Sequence, residues 1–359
     1  MSVEPIAEVR LLTTEASWLE GEAVRQLEAA ARLDGMRLAV GMPDLHPGRG
    51  WPVGAVLLAE GRLYPALVGN DIGCGIGLWT TGIAARKAKR DRWVRRLRSG
   101  LEPSDGEQLG TVGGGNHFAE LSIVDEVFDA AALDGLGIGT DELVVLVHSG
   151  SRGLGERILR DHVAASGANA LAEGSREAQR YLGQHDEAVA WARSNREAIA
   201  TRFLDCIGAA GVRIADVCHN SVSRRPFGGR DAWLHRKGAA PTDQGPVVVA
   251  GSRGTRSYLV LPTGDGERSG WSLAHGAGRK WARSDARARL EGRYTAESLE
   301  RTPLGGVVIC DDRALLYEEA PQAYKPIDQV IDDLRTHGLV QVVAALRPVI
   351  TYKVARGTT

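Results

Sequence analysis

Apolar and polar positions along this chain of 359 residues alternate at both helical and extended periods, in no fixed order. Within residues 20–33, Ala23, Val24, Leu27 and Ala31 recur at a spacing that places them on one helix face. Residues 38–40 and 53–58 are short apolar runs with the pattern of buried strands. The stretch Gly41-Met42-Pro43-Asp44-Leu45-His46-Pro47-Gly48 between them reads as a loop. Residues 143–147 predict a strand that delivers His148 at its end, and a helix is predicted over about 155–165. Residues 175–210, rich in Glu, Arg and Ala, predict the longest helix, with a break near Gly183. Short strands are predicted at 247–250, 258–261 and 307–310, a helix at 327–336, and a last strand carrying Val349, Ile350, Tyr352 and Val354. Strands and helices mix without a βαβ alternation. The expected fold is therefore α+β (mixed α/β): one compact domain over 1–359, mixed sheets of irregular topology surrounded by helices, and a central metal-containing cleft.

Composition sharpens this picture at one point. The 45 glycines are about one residue in eight, well above the usual share of roughly 7%. Many flank polar motifs, as expected where backbone must approach a ligand closely or take positive φ. The four cysteines form no small-domain disulfide framework, no apolar run reaches the ~18 residues of a membrane span, and the start of the chain (Glu4, Glu8, Arg10) lacks the pattern of a secretory leader. A cytoplasmic protein with reduced thiols and no membrane association is expected.

The net charge of −1 conceals an uneven distribution. Residues 213–293 hold 15 Lys+Arg against 7 Asp+Glu, which predicts a polyanion lying across one face. A second basic segment, residues 84–99, carries Arg86, Lys87, Lys89, Arg90, Arg92, Arg95, Arg96 and Arg98, with Trp93, Val94 and Leu97 as its buried side. It reads as a solvated helix face in preference to a nucleic-acid contact.

Candidate chemistry lies in short motifs. Asp71-Ile72-Gly73-Cys74 can turn a carboxylate and a thiolate toward one point, and His117, His148 and His219 come from three further segments. Five donors exceed the four of a closed structural zinc site and suffice for two adjacent ions with open positions, particularly if Cys74 bridges them. Thiolate, imidazole and carboxylate together suit zinc, with manganese, cobalt or iron as alternatives. His275-Gly276-Ala277-Gly278 sets an imidazole among small residues whose amides can reach phosphate oxygens, and a neutral imidazole is a competent nucleophile toward phosphorus. Gly251-Ser252-Arg253-Gly254-Thr255-Arg256-Ser257 suits base or ribose contacts, and Lys353 is a lone ammonium in an apolar strand.

These motifs, in this order from Met42 to Lys353, resemble the RtcB family of GTP-dependent RNA ligases. Most of the specificity rests on Asp71-Ile72-Gly73-Cys74-Gly75, Gly115-Asn116-His117-Phe118, His148-Ser149-Gly150-Ser151-Arg152-Gly153 and His275-Gly276-Ala277-Gly278-Arg279. The resemblance implies that Asp71, Cys74, His117, His148 and His219 ligate two Mn²⁺ ions and that GTP guanylylates His275. It implies a guanylate contacted by Asn116, His117, Phe118, Ala119, Glu120, His219, Asn220, Ala250, Gly251, Ser252, Arg253, Ser257, His275, Gly276, Ala277, Gly278, Tyr324 and Lys353. Arg152, Lys237 and Arg279 would hold RNA phosphates. The implied reaction joins an RNA 3′-phosphate or 2′,3′-cyclic phosphate to a 5′-hydroxyl, in RNA repair or tRNA splicing, with or without an accessory activating protein. The chain departs from the family pattern at Ala250-Gly251-Ser252-Arg253, where Pro-Gly-Ser-Met is common, and at Val354 after Lys353. It is also shorter than many members, which points to a bacterial paralogue acting in repair. Alternative readings of the motifs are a metal-dependent phosphodiesterase or phosphatase without covalent guanylylation, and a non-catalytic RNA-binding paralogue.

Overall fold

The computed structural model describes residues 7–103, 109–167 and 169–355, so both ends of the unit expected over 1–359 lie outside the described residues. Two sheets carry the architecture. The larger has eight strands: Val247–Val249, Ser257–Pro262, Val340–Val354, Phe118–Val127, Glu142–Ser149, Gly75–Ala84 and Arg213–Cys218 in spatial order, with Val307–Cys310 running parallel to Val340–Val354. The smaller has five, in the order Glu8–Leu11, Met36–His46, Val53–Ala59, Arg230–Lys237 and Asn220–Phe227.

The strand Glu142–Ser149 shows why the large sheet forms here. Its side chains alternate with period two, and both faces are covered. Val145 and Val147 pack with Ile199 and Phe203 of the helix Arg176–Ile207 and with Trp93 and Leu97 of the helix Arg90–Gly100. Val144 and Leu146 pack on the opposite face with Val40, Val56 and Leu58 of the small sheet. A strand buried on both sides must be apolar at every position, which accounts for its continuous hydrophobic run.

Several expectations shift in the structure. The segment expected as the loop 41–48 is strand as far as His46. Pro43 is tolerated there because pairing with Val53–Ala59 is interrupted between Gly41 and His46, where no ladder donor is needed. The helix Arg176–Ile207 runs through Gly183 unbroken. Glycine costs about 1 kcal/mol in a helix interior, which burial of Tyr181, Ala188 and Ala192 outweighs. The basic segment divides into a short 3₁₀ turn, Ala85–Lys87, and the helix Arg90–Gly100, because Ala88 leaves the helical region with ψ 126. The last strand is 15 residues long. Among the described residues, no helix is long and apolar enough to cross a membrane, and all four cysteines are free.

The register of the large sheet brings four strand ends to one edge. Phe118 and Ile76 both pair with His148, while Gly75 pairs with both Ser149 and Cys218. Cys74, His117, His148 and His219 lie at or one residue beyond these positions, so antiparallel pairing alone gathers four donors separated by up to 145 residues of sequence.

Candidate metal and nucleotide site

The gathered side chains converge at their tips. Cys74 Sγ lies 3.3 Å from His117 Nε2 and 3.3 Å from His148 Nε2, and His148 Nε2 lies 3.3 Å from His219 Nε2. Asp71 Oδ2 is 2.8 Å from His117 Nε2, and its Oδ1 is buried with no hydrogen-bond partner. Donor atoms around one ion at bond lengths of ~2.0–2.3 Å and tetrahedral angles stand roughly 3.3–3.8 Å apart. The spacing, the orphaned carboxylate oxygen and the soft and imidazole donor set all fit a transition-metal site. The sulfur and ring nitrogens of Cys74, His117 and His148 form the tightest group, mutually within 4.8 Å.

Burial raises the Cys74 thiol well above its ordinary range, and the nearby Asp71 carboxylate adds to this. Burial also pushes His148 and His219 well below the usual imidazole value, reinforced by the neighbouring imidazoles. Burial opposes ionisation of Asp71, but His117, Cys74 and Arg152 outweigh it and hold the carboxyl below its usual range. Neutral imidazoles are ready ligands, and a bound cation is what would deprotonate the thiol.

The ligand loops are braced from behind. Arg196, wholly buried on the long helix, donates to Gly73 O at 2.8 Å, to Ser149 O at 2.9 Å and to Asp216 Oδ1 at 2.5 Å. One guanidinium therefore fixes the backbone beside both Cys74 and His148. Asn195 accepts from Gly110 N and donates to Thr111 O and Ser149 Oγ. Asn220 donates to Asp71 O at 3.0 Å and accepts from Gly238 N at 2.7 Å. A Cβ on Gly150 would lie 2.1 Å from Asp71 Oδ1, so only glycine lets that carboxylate enter.

His275 stands next to this cluster, outside its donor core. Its ring centroid is 4.6 Å from that of His219. Asp44, fully buried, accepts the His275 backbone N–H at 3.2 Å and places Oδ2 2.6 Å from Nδ1. That second approach is close but not aligned as a hydrogen bond, and Nδ1 and Asp44 Oδ1 both lack a partner. Lys325 Nζ donates to the carbonyls of Pro43 and Leu45 at 3.1 and 2.7 Å, gripping the chain on either side of Asp44.

The expected nucleotide-contacting segments meet here. Ala250 and Gly276 form a bridge, Ala277 N donates to Ala250 O at 2.8 Å, and Gly251 N donates to Ser257 Oγ at 3.1 Å. Gly278 takes φ +72 and approaches Asp44 O so closely that a Cβ would be 2.3 Å away. Asn116, half-buried, directly precedes His117, and Ala119 is buried in the strand Phe118–Val127 that follows. Lys353 Nζ lies 6.0 Å from the Phe118 ring centroid, and burial lowers its ammonium to about 8. Glu120 accepts from Thr351 at 2.6 Å and from Ser122 at 3.0 Å, yet burial lifts its carboxyl to about 7. Ser252 N donates to Thr255 Oγ1 at 2.8 Å, which closes the small loop. Arg253 donates from Nη2 to Leu316 O at 2.6 Å, while its buried Nη1 has no partner.

The three cations expected at RNA phosphates differ in their commitments. Arg152 donates to His117 Nδ1 at 3.1 Å from a backbone held at φ 57, uncommon for a non-glycine residue. Lys237 donates to Trp51 O at 2.9 Å, and burial lowers its ammonium to about 8. Arg279 donates to Trp281 O, Glu318 O and Glu319, which also receives Arg283 Nε at 3.1 Å and the Tyr324 hydroxyl in a short contact. Sequence reasoning missed Asp44, Arg196, Glu319 and Lys325. Asp44 had a signal, a carboxylate among Pro, Gly and His; an arginine in a charged helix and one of two adjacent glutamates had none.

Part of the cationic excess expected over 213–293 is neutralised within the fold. Arg213, Arg224, Arg225, Arg230 and Arg256 pair with Glu197, Glu173, Asp243, Glu60 and Asp125, and Arg236 is buried. Most of those partners come from outside the segment, so a count along the sequence overstated the surface charge.

Fold and site together define a mixed α/β protein with a buried Cys/His/His group that could hold a metal ion. The profile of the family described as tRNA-splicing ligase RtcB matches residues 26–106 and 102–354. Similar proteins include the RNA-splicing ligase RtcB2 of Escherichia coli, 48% identical over 99% of this chain and 98% of that protein. The tRNA-splicing ligase RtcB of Archaeoglobus fulgidus is 30% identical over 92% of this chain and 90% of its own length, and the RNA-splicing ligase RtcB of Mycobacterium bovis is 29% identical over 90% and 98%. The chain belongs to the RtcB family of RNA ligases.

Proposed function

We propose that this protein joins an RNA 3′-phosphate or 2′,3′-cyclic phosphate end to a 5′-hydroxyl end at the expense of GTP, with His275 as the residue that carries guanylate. The observation that carries the reading is a fourth imidazole beside the convergent metal donors, 4.6 Å from His219 and with a buried carboxylate 2.6 Å from its Nδ1. Asp44 faces Nδ1, which leaves Nε2 of His275 as the nucleophile. That nitrogen attacks the α-phosphate of GTP, the N–P bond forms and pyrophosphate leaves. An oxygen of the RNA 3′-phosphate then displaces the imidazole, giving the activated end RNA-(3′)pp(5′)G. Finally the 5′-hydroxyl attacks the RNA phosphorus and GMP departs; a cyclic end is first opened to the 3′-phosphate.

Two manganese ions held by Asp71, Cys74, His117, His148 and His219 would supply Lewis acidity toward the phosphoryl oxygens. Glu120, Lys353, Phe118, Tyr324 and the paired segments around Ala250 and Gly276 would enclose the guanylate. Arg152 and Lys237 would meet RNA phosphates, and Arg279 would hold Tyr324 and Glu319 in place as much as meet substrate. We assign all of this to one catalytic unit over 1–359 acting in cytoplasmic RNA repair.

Incubation with α-labelled GTP and Mn²⁺ should give an acid-labile protein adduct that His275→Ala abolishes. An adduct of unchanged yield in that variant would exclude His275. Running all four nucleotides tests guanine preference in the presence of Arg253.

A further inference from the structure

The basic segment that the sequence presents as a solvated face has an internal division of labour. Of its eight cations, Arg86 pairs with Asp141, Arg98 with Asp311, and Arg90 with Asp91 and the Gly305 carbonyl. These contacts, with buried Trp93 and Leu97, anchor the helix Arg90–Gly100 to the body of the protein. Among the described residues, Lys87, Lys89, Arg92, Arg95 and Arg96 have no ion-pair partner, and all five are exposed. Lys89, Arg92 and Arg96 fall within roughly 60° of one another on a helical wheel of 3.6 residues per turn. They rim a groove of about 710 Å³ whose apolar floor is Ile83, Trp93 and Ile207. Like charges held this close on a fixed helix repel one another, so the arrangement lowers its free energy by taking up polyanion and releasing condensed counterions.

A second depression, of about 590 Å³, adjoins the groove at Arg96 and reaches Glu102. Glu102 accepts from the Tyr352 hydroxyl at 3.2 Å, in the residue before Lys353, and feels the charge of Arg152. That depression carries Arg96 and Arg202 together with Glu102 and Asp205, so the cationic excess lies in the first groove.

We propose that this groove is an RNA-binding track: Lys87, Lys89, Arg92 and Arg96 bind phosphodiesters of the substrate strand several nucleotides away from the ends being joined. The occupant is the RNA backbone, because the groove is lined by five cations and no carboxylate and the family acts on RNA. The proposal rests on the family's RNA substrate, and His275 chemistry plays no part in it.

The test is the triple variant Lys89→Glu/Arg92→Glu/Arg96→Glu, with Lys89→Gln/Arg92→Gln/Arg96→Gln as a milder companion. Unchanged far-ultraviolet circular dichroism and unchanged guanylylation by labelled GTP, which needs no RNA, report intact folding and an intact site. Binding of a fluorescent single-stranded RNA of about 40 nucleotides should weaken at least tenfold, with a log–log salt dependence shallower by about 2 if three phosphate contacts at ~0.7 each are lost. An oligomer of about six nucleotides, too short to reach beyond the site, should bind as before. Equal affinity and salt slope for the long RNA in both variants would overturn the track. So would displacement of that RNA from the wild type by polyglutamate, or by anionic vesicles, as readily as by unlabelled RNA, since the surface would then be a protein or lipid contact. A wild type that binds RNA through the groove but forms no adduct would refute the His275 reading alone.

Discussion

Asp44 and His275 make the pair on which the proposed guanylylation turns, because a ring proposed to attack phosphorus has to be held in one tautomer and one orientation. Asp44, fully buried, accepts the His275 backbone N–H and lies 2.6 Å from Nδ1, and Lys325 pins the strand that carries it. Asp44→Asn keeps the shape and removes the charge. Single-turnover adduct formation should slow by on the order of 10²-fold or more, as when other buried carboxylates that orient a catalytic imidazole are neutralised. Glu120 gives a second expectation at this scale. Its folded carboxyl, lifted to about 7 from the ordinary 4.5 by burial, holds a proton that the unfolded chain has released. Its contribution to stability therefore falls as pH rises from about 4.5 to about 7 and levels off above that. Urea midpoints of the wild type should drop across this interval relative to Glu120→Gln, and parallel curves would show that the group is not buried as described.

At the scale of elements, the ligand edge depends on the helix behind it. Arg196 ties Gly73 and Ser149 to Asp216, so Arg196→Met would leave two carbonyls and a buried carboxylate without their donor. Removing one partner of a buried pair typically costs ~3–5 kcal/mol. Arg193 stays 3.3 Å from Asp216, which places the expected loss in urea unfolding near the lower end, at about 3 kcal/mol. Gly150→Ala acts from the opposite side, pushing a methyl group into Asp71, and should weaken Mn²⁺ binding by calorimetry more than it lowers stability. The sequence made the strand ending on His148 and the helix 327–336 legible because each shows one clear period or apolar run. It hid the strand character of residues 41–46, since proline, glycine and polar residues look like a loop when an interrupted ladder cannot be foreseen. Cys74, His117, His148 and His219 were visible as donors because each sits in a glycine- or asparagine-containing motif. Arg196 and Glu319 were not, because their roles depend on partners far away in the chain.

For the whole molecule, the site joins elements from nearly the full length of the described chain, so metal and stability should be coupled. Chelator treatment should lower the thermal midpoint and Mn²⁺ should restore it; an ion at 100 times its Kd contributes about 2.7 kcal/mol. His148→Ala should lose that response while remaining folded by circular dichroism. A metal response undiminished in that variant would place the ion elsewhere.

The common edge at which Gly75, Phe118, Ser149 and Cys218 line up also limits how such a chain can change in length. Adding a single residue inside any of these four strands would turn its inward set outward and withdraw its donor. Growth or trimming during descent must therefore fall in the connections at the opposite rim, where an extra loop shifts no ligand.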